Sequence, residues 1–157
     1  MPFLRGNYEH AIHWDGWVEI CLQDKLGNVK QREIIHNLLC YGALNLIASH
    51  MGQSAGGAGA QWGGIGEDSG PIASGDTDLS TPVGSRVLGT YSHNANTPNW
   101  NLSFAFGSGV PTGGGSIRQA AIFTTATGGV LHIKGSFAVV NKGSADILNI
   151  MWVQSLA

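Results

Sequence analysis

Trp17-Val18-Glu19-Ile20-Cys21-Leu22-Gln23 alternates strictly, with Val18, Ile20 and Leu22 on one side of an extended chain and Glu19, Cys21 and Gln23 on the other. Successive side chains of a strand point to opposite faces, so this pattern predicts a half-buried β-strand. Asp24-Lys25-Leu26-Gly27-Asn28 then supplies the Gly and Asn that a tight turn needs, and Val29 to Ile35 is predicted to return as the hairpin partner. Working outward from this hairpin, the expectation is an antiparallel β fold.

Residues 1–16 mix charges and rings without a steady period and read as an N-terminal arm, with Tyr8, His10, His13 and Trp14 as candidate contact residues. Downstream, Asn37 is placed to cap a helix over 38–50, where Leu39, Ala43, Leu46 and Ile47 form an apolar stripe wide enough to cover a sheet end. Residues 52–75 are dominated by Gly, Ser and Ala, with Trp62 and Ile65 as isolated anchors, and are expected to form a long surface loop that docks onto a neighbour. The remainder reads as strands near Val87–His93, Trp100–Phe106, Ile117–Thr124, Val130–Val139 and Ala145–Leu156, at the spacing of a sandwich or barrel. Trp100, Leu102, Phe104 and Phe106 share one face of the second, so one side should be core and the other wet. In the closing strand Ile147, Met151 and Val153 oppose Leu148, Ile150, Trp152 and Leu156, and both faces are expected to be buried, centrally or at a subunit contact. The expected organisation is one domain over 17–157, an antiparallel β-sandwich of jelly-roll type with one α-helix, preceded by the arm.

Composition points to assembly. Charged residues are 11% and hydrophobic residues 43%, a poorly solvated surface for a lone chain but a tolerable one where neighbours cover it. With Lys+Arg 8 against Asp+Glu 10 there is no basic footprint for nucleic acid. No stretch approaches a membrane span or a secretory leader, so neither is expected. Cys21 and Cys40, the only cysteines, match no zinc or redox spacing; they read as thiols left free in a reducing cytoplasm, with a disulfide between them as the alternative.

Catalytic and metal constellations are weak. His10 and His13 lack further zinc ligands nearby, and His36, His50, His93 and His132 are scattered. Gly63-Gly64-Ile65-Gly66-Glu67-Asp68 has no Lys-Ser/Thr after it and carries carboxylates where phosphate would lie. Asp76 and Asp78 lack the Gly and distal Glu of a calcium loop and read as turn residues, with Leu79 plugging the sheet end. No enzyme activity, cofactor or metal is therefore expected. Five tryptophans raise a glycan-binding alternative, for which Trp62 is the one ring isolated in a polar loop.

Four ordered motifs carry a resemblance across Trp17 to Leu156. They are His36-Asn37 ahead of Leu38-Leu39-Cys40-Tyr41-Gly42-Ala43-Leu44; Ile65-Gly66, then Gly75-Asp76-Thr77-Asp78-Leu79 and Arg86; Ile117-Arg118-Gln119-Ala120-Ala121-Ile122-Phe123; and Ile147-Leu148-Asn149-Ile150-Met151-Trp152. The order resembles a family of small bacteriophage virion proteins assigned to capsid decoration, tail or baseplate parts. Gln119 stands where that family has Glu, Ala121 where it has Gly, and Val83-Gly84-Ser85 lacks the acid found before the arginine. Arg86 must then take another partner, with Asp76, Asp78 or a backbone carbonyl as the choices.

The resemblance implies a cement or decoration protein on the capsid exterior, assembled in the host bacterial cytoplasm and bound to the major capsid protein. A homotrimer would suit local threefold positions of a shell. Tail or baseplate placement is the nearest alternative, and a host-glycan-binding module the alternative of a different class. The expected contact residues are Tyr8, His10, His13, Trp14, Trp62, Ile65, Arg86, Met151 and Trp152.

Overall fold

The computed structural model describes residues 14–40, 43, 59–93 and 99–156. Ten strands form two five-stranded antiparallel sheets. They are β1 (Trp14–Gln23), β2 (Val29–His36), β3 (Leu38–Leu39), β4 (Trp62–Gly66), β5 (Pro82–Leu88), β6 (Thr90–His93), β7 (Asn99–Phe106), β8 (Gly114–Phe123), β9 (Leu131–Gly143) and β10 (Ile147–Leu156). The first sheet runs β2-β1-β10-β7-β6 and the second β3-β9-β8-β4-β5. Hairpins β1–β2, β4–β5, β6–β7 and β8–β9 each stay within one sheet.

The sheets face one another across a single apolar layer. Val18, Ile20 and Leu22 of β1, Leu102, Phe104 and Phe106 of β7, and Leu148, Ile150 and Trp152 of β10 meet Ile65, Ile117, Ile122, Ile133 and Val140 from the second sheet. Each of the larger side chains contributes about 1.5–3 kcal/mol by leaving water. The alternation of β1 and the one-sided face of β7 are as expected: Val18, Ile20 and Leu22 are buried while Glu19 and Cys21 are not.

The helix expected over 38–50 does not begin at Leu38: residues 38–39 are extended, while Ala43 further along is helical. Leu38 and Leu39 pair with Lys134 and Ile133 as a short edge strand, Asn37 donates its N–H to Gly16 O (3.2 Å), and Cys40 donates to His132 O (3.2 Å). The edge of β9 offers backbone groups that need partners, and satisfying them outweighs the local preference of Leu-Leu for helix. Of the rest of that stretch only Ala43 lies among the described residues. At the other end, β1 begins at Trp14, so the last three residues expected in the arm pair with β10.

The Gly-rich segment also departs from expectation. Trp62–Gly66 is a strand inserted between β8 and β5. Its glycines let other strands come close: a Cβ on Gly63 would stand 2.5 Å from the Phe104 ring. Strand β5, expected as part of one strand to His93, breaks at Gly89, where the chain crosses between sheets. A Cβ on Gly89 would lie 2.5 Å from Phe104 Cε1, and its N–H donates to Gln61 O at 2.8 Å.

Residues 67–81 form a strap across the outer face of the second sheet. Glu67 N–H donates to Thr81 O (3.0 Å) at its base, and Gln119 Nε2 donates to Gly70 O (3.3 Å). Leu79 fills the face together with Cys40, Ala121, Phe123 and Leu131, with Trp62 packed alongside. This covering is why Ala120 through Phe123 of β8 are all buried.

Candidate functional site

With the strap over the second sheet, no element among the described residues covers the outer face of the first. Cross-strand register sets its rows: His36, Trp17, Val153 and Asn101; Ile34, Glu19, Met151, Ser103 and Thr90; Arg32, Cys21, Asn149 and Ala105. These are the residues opposite in phase to Val18, Ile20 and Leu22. Trp17, Cys21, Met151 and Val153 are half-buried, while Ile34 is 61% exposed. In the isolated chain the closing strand is buried on one face; the other, with Met151 and Val153, is the face expected at a subunit contact.

Polar groups on this face are tied to one another. Arg32 Nε meets Glu19 Oε1 at 2.7 Å, and Asn149 Nδ2 donates to Gln23 Oε1 at 2.9 Å. Between the larger side chains lies a groove of about 380 Å³, floored by Cys21, Ser103, Ala105 and Asn149 and walled by Glu19, Met151 and Leu88. Small residues from three strands fall side by side there. The face can bury apolar surface and exchange charge pairs.

Two further recesses lie among the described residues. One, of about 270 Å³, is lined by Gly59, Ala60, Gln61, Tyr91, Trp100 and His132. The Tyr91 and Trp100 rings lie 6.2 Å apart at 33°, and Trp100 and His132 lie 6.5 Å apart. The other, of about 580 Å³, lies beside Arg86 and Asp78. Arg86 is committed there: it sits 3.3 Å over the Phe123 ring, donates to Thr125 O and Gly128 O, and pairs with Asp78 at 3.2 Å. Both the carboxylate and the carbonyl choices open to Arg86 are thus taken, by Asp78 and by the 125–128 turn.

Burial holds the His132 imidazole neutral, with its pKa pushed down to about 4. In the unfolded chain it titrates near 6.5, so below that pH the unfolded state binds a proton that the folded state refuses. Stability contributed by neutral His132 is complete above about 6.5 and declines toward 4, on the order of 3 kcal/mol in all. Urea unfolding at pH 7 and at pH 4.5 should show a smaller acid loss in His132→Leu than in the wild type. Equal losses would mean that the imidazole takes up a proton without opening the fold.

The expected contact residues scatter. Trp152 is 1% and Ile65 1% exposed, both in the core, so neither side chain reaches the surface. Trp62 is half-buried against the cluster under the strap, not isolated in a polar loop. Arg86 ties the strap to the 125–128 turn, and only Met151 lies on the open face. Trp14 opens β1 beside Leu156, while Tyr8, His10 and His13 lie outside the described residues. Sequence reading missed Cys21, Ser103 and Ala105 as groove residues and Tyr91 as a partner of Trp100; outward phase on alternating strands was the available signal. Among the described residues no group of three His, Cys, Asp or Glu side chains converges to hold a metal, and no helix is long and apolar enough to cross a membrane. No family model, curated protein or solved structure matches the chain.

Proposed function

We propose that this chain is a structural protein of a bacteriophage particle, a capsid decoration protein that associates with copies of itself and with the major capsid protein on the shell exterior. The observation that carries the reading is the open face of the first sheet, where Trp17, Cys21, Met151 and Val153 stay half-exposed while the opposite sheet is covered by the chain's own strap. Low charge supports it, because such a surface is better solvated by neighbours than by water. The phage assignment rests on the four ordered motifs, and the jelly-roll type belongs to the same proposal, being an architecture of capsid and lectin domains. A homotrimer at local threefold positions is the assembly proposed.

Cryo-EM of particles carrying this chain tests the location, and density confined to the tail would replace decoration with a tail or baseplate role. Self-association is tested separately. Met151→Lys puts a charge on the open face of a strand whose core residues are untouched, so it should change stability by less than about 1 kcal/mol yet shift sedimentation toward monomer. An unchanged distribution removes this face as the contact.

A host-glycan-binding module is the second reading. The Tyr91–Trp100 pair favours it, since Tyr91 is 58% exposed and its ring stands beside Trp100 at the mouth of a recess. Binding of the wild-type chain to a sugar array is the result that would favour it over assembly.

A further inference from the structure

We infer that the tip of the β1–β2 hairpin is an insertion element, and that Leu26 of one copy enters the groove on the open sheet face of a second copy. The inference rests on the self-association reading and gives it a geometry.

Leu26 is 78% exposed, more than any other large apolar side chain among the described residues. It sits on a turn that is held rigid. Asp24 Oδ1 accepts from the N–H of Leu26 (2.8 Å) and of Asn28 (2.9 Å), Asp24 Oδ2 accepts from Asn28 Nδ2 (2.9 Å), Gly27 N–H donates to Asp24 O (3.0 Å), and Asp24 N–H donates to Asn28 O (3.0 Å). Gly27, at φ 86°, supplies the left-handed residue that the turn requires. An apolar side chain presented on a pre-ordered tip loses little freedom on docking, which is the economy of a built anchor.

The groove offers a matching seat. It is floored by small side chains, and its volume of about 380 Å³ admits a leucine with part of the turn. Charge is complementary as well: Lys25 flanks the tip, and the Glu19 carboxylate, one oxygen of which meets Arg32, forms part of the groove wall. The occupant must come from another copy. Glu19 and Cys21 lie on the same strand that leads into the turn, so a chain's own tip points away from its own groove.

A tip on one copy and a groove on the next make a head-to-tail contact, which closes into a ring or extends into a filament according to the rotation between copies. Isologous pairing of two open faces would bury the grooves and leave the tips free.

Cys21 makes the contact testable. In Leu26→Cys the new thiol of one copy should lie beside Cys21 of the next, so mild oxidation should give a ladder of disulfide-linked species on a non-reducing gel. The ladder should vanish in Leu26→Cys/Cys21→Ser. Within one chain the two positions are too far apart along an extended strand to bond, and Cys40 is buried. Leu26→Asp, on an exposed tip, should melt with the wild type yet sediment as smaller species. Dimers alone, persisting without Cys21, would indicate tip-to-tip contact and overturn the inference. So would a wild-type oligomer untouched by Leu26→Asp, which leaves self-association standing. A wild type that sediments only as monomer overturns both.

Discussion

Gly63→Val is expected to destabilise the fold by about 3 kcal/mol, the upper part of the range for overpacking a core. Position 63 is buried on β4, between β8 and β5, and a Cβ there would stand 2.5, 2.6 and 2.8 Å from Cδ1, Cγ and Cε1 of Phe104. Real Cβ atoms do not come so close, and the ring has no free direction: Gly89 presses on the same ring from the sheet crossing, and Phe106 lies 6.4 Å away, centroid to centroid. Valine would also force Phe104 away from Ile65 and Leu102. Urea unfolding measures the loss as a lower midpoint at unchanged slope. Phe104→Leu shrinks the obstacle, so Gly63→Val/Phe104→Leu should lose less than the sum of the single changes. Strict additivity would mean that the ring is not what Gly63 accommodates. Gly75→Ala, where an added Cβ meets nothing within 4 Å, should leave the midpoint nearly unmoved.

The same glycine explains why β4 was illegible in the sequence. Strands β1 and β7 carry their own apolar alternation, from Val18 to Leu22 and from Leu102 to Phe106, and each could be read without knowing its neighbours. Strand β4 carries almost none. Its inner face is covered by the Phe104 ring from β7, and a Cβ on Gly64 would lie 3.1 Å from Phe123 and 3.2 Å from Leu79 on the other side. Its hydrophobic character is lent by other segments, so a composition of Gly, Gly, Ile and Gly reads as loop until the partners are known. Trp62 looks isolated in the sequence for the same reason, although it pairs with Leu88 and Phe123.

Within one chain, burial on both faces occurs in β8, while β10 has one face in the core and the other left for the expected subunit contact. β10 and the Ala120–Phe123 end of β8 are both nearly continuous in apolar residues, and periodicity alone cannot say which one a loop will cover. The strap decides it by lying over Ala121 and Phe123, leaving Met151 and Val153 on the uncovered side. The candidate site was legible to the same limited degree. Outward phase sets Glu19 and Cys21 off the core side, but the groove exists only because register places Cys21, Asn149 and Ala105 in one row with Ser103 beside them.

The strap itself should fail when one residue is removed. Lys134 is 1% exposed, and its ammonium meets Asp76 Oδ2 at 2.9 Å and Asp78 O at 3.3 Å. Asp76→Ala leaves that charge buried with a lone carbonyl, at an expected cost of about 3 kcal/mol, the low end for a broken buried pair because water reaches the carboxylate side. Lys134→Met removes the charge and keeps an apolar stem, while Asp76 can turn to solvent and still accept from Ala73 N–H, so the expected loss is within about 1 kcal/mol. Asp76→Ala/Lys134→Met should then be more stable than Asp76→Ala alone. Acid supplies an independent check. The Lys134 hydrogen bond, and after it the Ala73 N–H, hold the Asp76 carboxyl below its usual range, so the stability it adds is complete above the ordinary carboxylate pKa and is lost as pH falls through the lower, folded value. The gap between wild type and Asp76→Ala should narrow over that window. If Asp76→Ala costs no more than Lys134→Met at neutral pH, the strap is held by Leu79 in its apolar seat, and the ion pair only marks where the loop crosses the sheet.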